Sequence, residues 1–412
     1  MAEPKTITVV DVGSTKVVTL VGEASAEGDG TFTIVGVGIA SARGVRRGQI
    51  INVAEATEAI RDSLAGALAS SGIKATSVLM SISGNHIASQ NSQSAVAIGR
   101  GDQGATLDDI NHALESAQAI TVPNNREILH VIPRHFRVDD QDGVRNPVGM
   151  LGFRLEVQAH IITCATTAAQ NLLKCAHGAG VDVSEFVLAP LSSAEAVLTP
   201  TEREMGAVLV DIGGGATGLA IFIEGSAWHT KVLEVGGWHF TSDLAQVLRL
   251  PMETAEQFKV TYGHASPMDV PGDQVVEMTG FGDEPRMRVM RRESAEIVRA
   301  RADELFNLIE QEIKRSGYDG LLPAGLVITG GGSLLPGLRE SAREVTKRPV
   351  RLTRPTNMQG LVDSLQSPAF STSVGMLHWG LQGVAVRPSK KRRGGSRFDL
   401  PGWLKNLLPN ER

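Results

Sequence analysis

Residues 208–223 read Val-Leu-Val-Asp-Ile-Gly-Gly-Gly-Ala-Thr-Gly-Leu-Ala-Ile-Phe-Ile, an apolar run ending in an acid, a glycine turn and a second apolar run. The pattern predicts a buried hairpin. Val208 to Val210 form its first strand, Asp211 sits at the strand end, and Gly213, Gly214 and Gly215 free backbone N–H groups to wrap around an anion. Asp211 is then placed to hold a hydrated magnesium ion. Gly213, Gly215 and Gly218 satisfy the spacing G-x-G-x-x-G, but a dinucleotide fingerprint opens a helix and residues 219–223 are strand-like. No Lys-Ser or Lys-Thr follows the glycines, which excludes a Walker loop. Taken alone, the segment fits an ordinary tight turn between core strands equally well.

The same grammar occurs near the N-terminus. Residues 6–21 run through an apolar strand, Asp11, a Gly13-Ser14-Thr15 turn with Lys16, and a second apolar strand. Repetition of strand, acid and glycine turn argues for two related domains, each offering a phosphate loop to a shared cleft. A third cluster, Gly330-Gly331-Gly332-Ser333-Leu334, again follows a strand, with a helix expected near Pro336 whose amides and dipole can face a nucleotide.

Composition sets the frame. With 412 residues, 42% hydrophobic and 21% charged, the chain is long enough for two or more cores. Cys164 and Cys175 have no metal-ligand spacing with a histidine pair and are expected as core thiols. The first residues lead straight into a strand without a hydrophobic leader, and no apolar run approaches a membrane span, so a reducing cytoplasm is expected.

Between the hairpins, a strand is expected over 32–40. A helix follows, capped by Asn52 and Glu55 with the stripe Ile60, Leu64 and Leu68 and a stop at Gly72, and then a strand over 77–83. Residues 84–163 break this α/β alternation and read as an inserted subdomain, with a helix capped by Thr106 and Asp109 and strands over 128–132, 135–138 and 153–162. Its His130, His135 and His160 alternate with apolar residues, as structural side chains do. A helix over 166–176, a strand over 185–188 and a helix over 190–197 lead into the second half.

After the second hairpin, a helix starts near Gly236, and the next carries Glu256 and Lys259 one turn apart. They form either a surface ion pair of about a few tenths of a kcal/mol or a grip on ribose and adenine. A small sheet is expected over 267–288. The helix expected over 292–315 buries Ile297, Leu305, Leu308, Ile309 and Ile313 and leaves Arg301 and Glu304 on its other face. A helix over 371–381 closes the body.

The tail differs. Residues 387–412 hold eight basic and two acidic side chains, so in a chain of net charge −5 the preceding residues carry −11. Residues 387–396 read as a flexible basic linker. Beyond it, Leu400, Trp403, Leu404, Leu407 and Leu408 share one helical face, with Phe398 leading in and Lys405 opposite. So short an amphipathic helix folds best on a surface, and anionic lipid attracts the linker at up to about 1 kcal/mol per charge. A nucleic-acid tail has no need of the Trp-Leu-Leu-Leu face, so no nucleic acid is expected.

The two hairpins, the helix over 190–197, the Gly330 loop and the closing helix resemble the nucleotide cleft shared by actin, sugar kinases and heat-shock chaperones. Within that superfamily the chain is similar to the FtsA family of bacterial division proteins. The carriers are Ile-Leu-His-Val-Ile-Pro at 128–133, Asn-Pro-Val-Gly-Met-Leu-Gly at 146–152, Ser192-Ser193, His-Thr-Lys at 229–231, Thr-Ser-Asp-Leu-Ala at 241–245, and the tail.

The resemblance implies an α/β, actin-like two-lobed fold of two duplicated ribonuclease H-like domains, with an inserted α+β subdomain and a C-terminal amphipathic helix. The first core domain is residues 1–83, completed by about 164–205 and 374–386, with 84–163 inserted. The second is 206–240, completed by about 320–373, with 241–319 as a small subdomain, 387–396 as linker and 397–412 as membrane helix. ATP and magnesium are implied between the lobes. Gly13, Ser14, Thr15 and Lys16 match the first phosphate loop, and Gly213, Gly214, Gly215 and Thr217 match the second. Glu256 and Lys259 match the nucleoside helix, Gly330, Gly331, Gly332, Ser333 and Leu334 match the adenosine loop, and Asp11 and Asp211 match the magnesium organisers.

As partners, the resemblance implies the FtsZ C-terminal tail at Arg301 and Glu304, self-assembly into filaments, later division proteins, and anionic lipid at the cytoplasmic face of the inner membrane. One departure concerns catalysis. Members that hydrolyse ATP well place a Glu or Gln near the start of the interdomain helix, where this chain has Ala189 or Pro190, so no catalytic residue is assigned and turnover is expected to be slow or absent. A sugar or carboxylate kinase, or a pilus-assembly adaptor of the same superfamily, is the alternative.

Overall fold

The computed structural model describes residues 6–25, 31–99, 104–119, 122–281, 287–356 and 358–384. The expected linker 387–396 and membrane helix 397–412, with Phe398, Leu400, Trp403, Leu404, Lys405, Leu407 and Leu408, lie outside the described residues.

Two sheets organise the body. The first runs Asp182–Leu188, Ser77–Ile82, Thr6–Val12, Lys16–Ala24, Phe32–Ser41 and the short Gln359–Gly360. The second runs Val350–Leu352, Gly325–Thr329, Ala207–Ile212, Thr217–Ile223 and Ser226–Leu233. Numbered in chain order within each half, and leaving Gln359–Gly360 aside, both sheets have the order 5-4-1-2-3. In both, the first three strands form antiparallel hairpins and the last two join in parallel. The repetition read from Asp11 and Asp211 is therefore a duplication of the whole sheet. The strands beside each acid are continuous apolar runs because both faces are covered, and Val9, Val10, Val208 and Val210 are fully buried.

Helix Val53–Ser71 follows its sequence signals, with the Asn52 side chain accepting from the amides of Ala54 and Glu55 and Gly72 closing it in the left-handed region at φ 70°. The expected stripe is partly corrected. Ile60 is buried, but Leu68 is 41% exposed, and small residues Ala56, Ala59, Ser63 and Ala67 make the buried face. The cause is a close approach to strand Phe32–Ser41, where a Cβ on Gly38 would lie 1.8 Å from the Ser63 carbonyl oxygen.

The insert is a four-stranded sheet in the order Ala88–Ala97, Arg154–Ala165, Arg126–Val138, Gln141–Val144, covered by helix Leu107–Ala117. Its own core joins Ile110, Ala113 and Leu114 to Leu155, Val157 and Ile161. The two strands expected over 128–132 and 135–138 are one strand with a bulge, in which Pro133 pairs with Ala159 and His135 with Gln158. Arg134 falls in the bulge, and its guanidinium stacks 3.7 Å from the Trp228 ring of the second lobe. His160 sits between Asn91 at 2.7 Å and Thr230 at 3.0 Å, and the His130 Nε2 accepts from the Leu188 amide at 3.1 Å. Burial pushes both imidazoles down, to about 3 for His160 and about 4 for His130, so both are neutral structural groups near pH 7.

Two helices cross between the lobes, Ala189–Val197 and Ser371–Val384, and both pack into the largest core. They lie so close that a Cβ on Gly375 would fall 1.8 Å from the Ser192 carbonyl oxygen. Helix Arg291–Ser316 buries Leu305, Ile309 and Ile313 as expected, along with Val298, Ala302 and Phe306, while Ile297 and Leu308 are only partly covered. The expected small sheet is the pair Val275–Met278 and Met287–Met290.

Candidate nucleotide cleft

Each hairpin turn closes in the same way. The Gly13 amide donates to the Lys16 carbonyl at 3.0 Å, and the Gly213 amide donates to the Ala216 carbonyl at 2.9 Å. The fold sets the two turns face to face. A Cβ on Gly214 would lie 2.3 Å from the Thr15 methyl, and one on Gly215 would lie 2.6 Å from the Ser14 hydroxyl. The triglycine therefore does more than free amides for an anion, since any side chain there would wedge the lobes apart. Gly48, on the turn after strand Val45–Arg46, joins the first loop by donating its amide to Ser14 Oγ at 3.1 Å.

The turns, the Gly330 loop and Thr372 enclose a cavity of about 160 Å³ whose walls include Asp11, Ser14, Lys16, Ser81, Asp211 and Gly330. Asp11 accepts from Ser81 Oγ at 2.7 Å, and Asp211 accepts from Ser193 and Thr372. Burial dominates both carboxyls, pushing Asp11 up to about 6 with a further rise from the Asp211 charge, and raising Asp211 as well. The Lys16 ammonium lies 3.5 Å from the Phe370 ring centroid, and its pKa is lowered by burial against the opposing pull of the two acids. Two half-buried carboxylates lining one cavity beside the single Lys16 ammonium form a hard oxygen set, which fits a hydrated magnesium ion.

Thr15, Gly214 and Gly331 are shared with a second cavity of about 690 Å³. Its walls are Gly237, Trp238 and Thr241 on helix Gly237–Val247, Glu256, Lys259 and Val260 on helix Met252–Tyr262, and Gly332, Leu334 and Leu335 on the third loop. Lys259 Nζ donates to Glu256 at 2.7 Å, to Thr241 Oγ1 at 2.8 Å and to the Gly237 carbonyl at 3.1 Å. The pair is thus an ion pair and a cavity wall at once. Gly330, with φ 86°, would carry a Cβ only 2.3 Å from Asp211 Oδ1, so the loop reaches the acid only as glycine.

Two expected loop residues stand back from the cavities. Thr217 is fully buried and donates its hydroxyl to the Val235 carbonyl at 2.7 Å, and Ser333 donates to the Gly330 carbonyl at 2.7 Å. Both shape the loops from behind. Sequence reasoning gave no site role to Ser81, Thr372, Gly48 and Trp238, isolated residues that carry no motif, and used Thr241 only as a mark of the resemblance. Ala189 and Pro190 do line the smaller cavity, while Glu195 faces Arg203 at 2.8 Å.

Arg301 is not a solvated side chain. It holds Asp243 of helix Gly237–Val247 through Nε at 2.5 Å and Nη2 at 2.8 Å and also bonds Glu304, whose side chain is about half exposed.

Two duplicated sheets around an interlobe cleft, with two acid-tipped glycine hairpins at its base, define an actin-like protein. Among solved structures the fold is similar to the PilM-PilN type IV pilus biogenesis complex, with TM-score 0.66, 16% identity, and 93% of this chain and 99% of that one covered. It is also similar to MreB5 of Spiroplasma citri bound to ADP, with TM-score 0.57, 11% identity, and 93% and 99% covered. At those identities the likeness is one of fold. Sequence decides the family. The cell division protein FtsA family model matches residues 208–375, and the SHS2 domain inserted in FtsA matches 84–163. The cell division protein FtsA of Pseudomonas aeruginosa is 41% identical over 92% of this chain and 90% of its own length. The chain belongs to the FtsA family and is an actin-like cell division protein.

The raised Asp11 gives a pH signature. A carboxyl whose folded pKa exceeds its ordinary 3.8 costs stability at neutral pH, and that cost is relieved as pH falls through about 6 towards 4. Without magnesium or nucleotide, Asp11→Asn is expected to be more stable than wild type at pH 7 by on the order of 2–3 kcal/mol. The gap should narrow by pH 4. A melting-temperature difference that does not change with pH would refute the burial account.

Proposed function

We propose that the chain binds ATP with magnesium in this cleft and tethers FtsZ filaments to the cytoplasmic face of the inner membrane, where it polymerises and recruits later division proteins. The observation that carries the nucleotide reading is the adjacency of the two cavities. An acid-walled end of phosphate dimensions shares Thr15, Gly214 and Gly331 as walls with a chamber large enough for a nucleoside. Gly13, Ser14, Thr15 and Lys16 with Gly213, Gly214 and Gly215 would hold the phosphates, and Asp11 and Asp211 the magnesium through water. Glu256, Lys259 and the loop 330–334 would hold the nucleoside.

Bound magnesium supplies charge neutralisation between phosphate and the two acids. At the phosphate end, the alkyl side chains of Ala189 and Pro190 offer no group that orients an attacking water, and Glu195 is engaged with Arg203. ATP then acts as a conformational ligand. Phosphate release is expected to stay well below about 1 per second, the lower end of ordinary enzyme turnover. A rate at or above that value, abolished by Asp211→Ala, would overturn this reading.

Family membership and the exposed carboxylate of Glu304 support docking of the FtsZ tail on helix Arg291–Ser316, with Arg301 fixed by Asp243 as its frame. Glu304→Lys is expected to weaken a labelled FtsZ tail peptide by about five- to tenfold in fluorescence anisotropy, the scale of a charge reversal at an interface. Equal affinity would remove this helix from the docking face.

The membrane part rests on the basic run 387–396 and the apolar pattern of Leu400, Trp403, Leu404, Leu407 and Leu408 in the sequence. Wild type is expected to sediment with anionic vesicles and Trp403→Asp to remain in solution. Equal sedimentation of both would exclude the tail as anchor.

A further inference from the structure

The two cleft acids occupy equivalent places on duplicated hairpins but are anchored differently. Asp11 accepts from Ser81 Oγ at 2.7 Å, and Ser81 lies on a neighbouring strand of the same sheet, where its oxygen also takes the Val12 amide at 2.9 Å. Asp11 is thus fastened within its own lobe. Asp211 instead receives both hydroxyl bonds from the helices that cross between lobes. Ser193 of Ala189–Val197 donates to Asp211 Oδ2 at 2.5 Å and Thr372 of Ser371–Val384 donates to the same oxygen at 3.0 Å.

The three oxygens form a closed triangle, with Ser193 Oγ and Thr372 Oγ1 2.9 Å apart. The helices are tied again beside it, where Ser192 Oγ donates to the Thr372 carbonyl at 2.7 Å, and Ser371 Oγ meets Thr329 Oγ1 at 2.5 Å on the strand leading to the third loop. Ser192, Ser193 and Thr329 are wholly buried. With Oδ2 engaged, Oδ1 is the oxygen beside Gly330.

We infer that Ser193 and Thr372 are positioning residues for Asp211, through which the occupancy of the cleft is transmitted to the two crossing helices. The inference rests on the nucleotide reading above. A cation drawn to Asp211 shifts a carboxylate that both helices hold, whereas the same cation at Asp11 acts on a group fastened within one lobe.

The test compares binding of a fluorescent ATP analogue in magnesium with binding in EDTA, using full-length protein. Ser193→Ala and Thr372→Val each remove a hydroxyl at nearly constant shape. Each is expected to cut the tightening produced by magnesium by about tenfold, the scale of a hydrogen bond to a charged group. For Ser193→Ala, whose side chain is wholly buried behind the cavity wall, affinity in EDTA is expected to stay within about twofold of wild type. Thr372→Ser is expected to restore the tightening. Amide exchange in residues 371–381 should slow when magnesium and analogue are added to wild type, and not in the two variants. Magnesium tightening equal to wild type in both variants, or exchange that slows equally, overturns the positioning role. Wild type that binds no analogue in either buffer overturns the nucleotide reading itself, and this inference with it.

Discussion

Face-to-face approach of the two glycine hairpins is the constraint on which the rest of the molecule depends. Ser14 and Thr15 pack onto Gly215 and Gly214 with no room for a Cβ on the second loop. That approach brings Asp11 and Asp211 to one cavity, where burial raises the pKa of each. The duplication makes the approach possible, because two sheets of one topology present equivalent strand ends to a common cleft. It also explains why the turns are not interchangeable. The first loop carries side chains and Lys16, the second carries glycine and Ala216, and the pair fits only in that combination.

Much of this was legible in the sequence, because the features that matter most are local. An apolar run, an acid and a glycine turn encode a buried strand end and a sharp reversal within a few residues, and the pattern appears twice. Helix ends were equally readable where a cap is chemical, as at Asn52, Thr106 and Gly72. What stayed hidden depends on neighbours. Strand Ala88–Ala97 is polar along most of its length and lies at a sheet edge, so alternation was too weak to announce it. Leu68 was misplaced because helix Val53–Ser71 lies too near its sheet for large side chains, a distance set by Gly38 rather than by the helix. The hydroxyl partners of Asp211 come from positions 18 residues before and 161 residues after it, and no spacing rule links them.

The insert shows how a bulge can convert a strand into a joint. Pro133 has no N–H to donate, the register slips beside it, and Arg134 leaves the ladder to stack on Trp228 of the second lobe. Ser89 adds a hydrogen bond to the Thr230 carbonyl at 2.9 Å, and His160 bonds the Thr230 hydroxyl. The insert thus branches from the first lobe but rests against strand Ser226–Leu233 of the second. The insert has a buried cluster of its own, while Ile87, Ile132 and Ile162 join the largest core, so the polar and aromatic contacts to the second lobe add to a shared apolar seam.

The same economy governs helix Gly237–Val247. Its first turn bonds back to the second glycine loop, with Gly237 and Trp238 amides donating to the Gly213 and Gly214 carbonyls at 2.9 and 2.7 Å. Further along, Thr241 faces Glu256 and Lys259 in the larger cavity, and Asp243 grips Arg301 on helix Arg291–Ser316. Within three helical turns one element touches the second glycine loop, the larger cavity and the outer helix. Burial raises the cost of leaving any of these groups unpaired. Arg301 therefore belongs to the frame of the cleft as much as to the surface, and a charge at that position could not have been classed as solvent-facing without Asp243 in view.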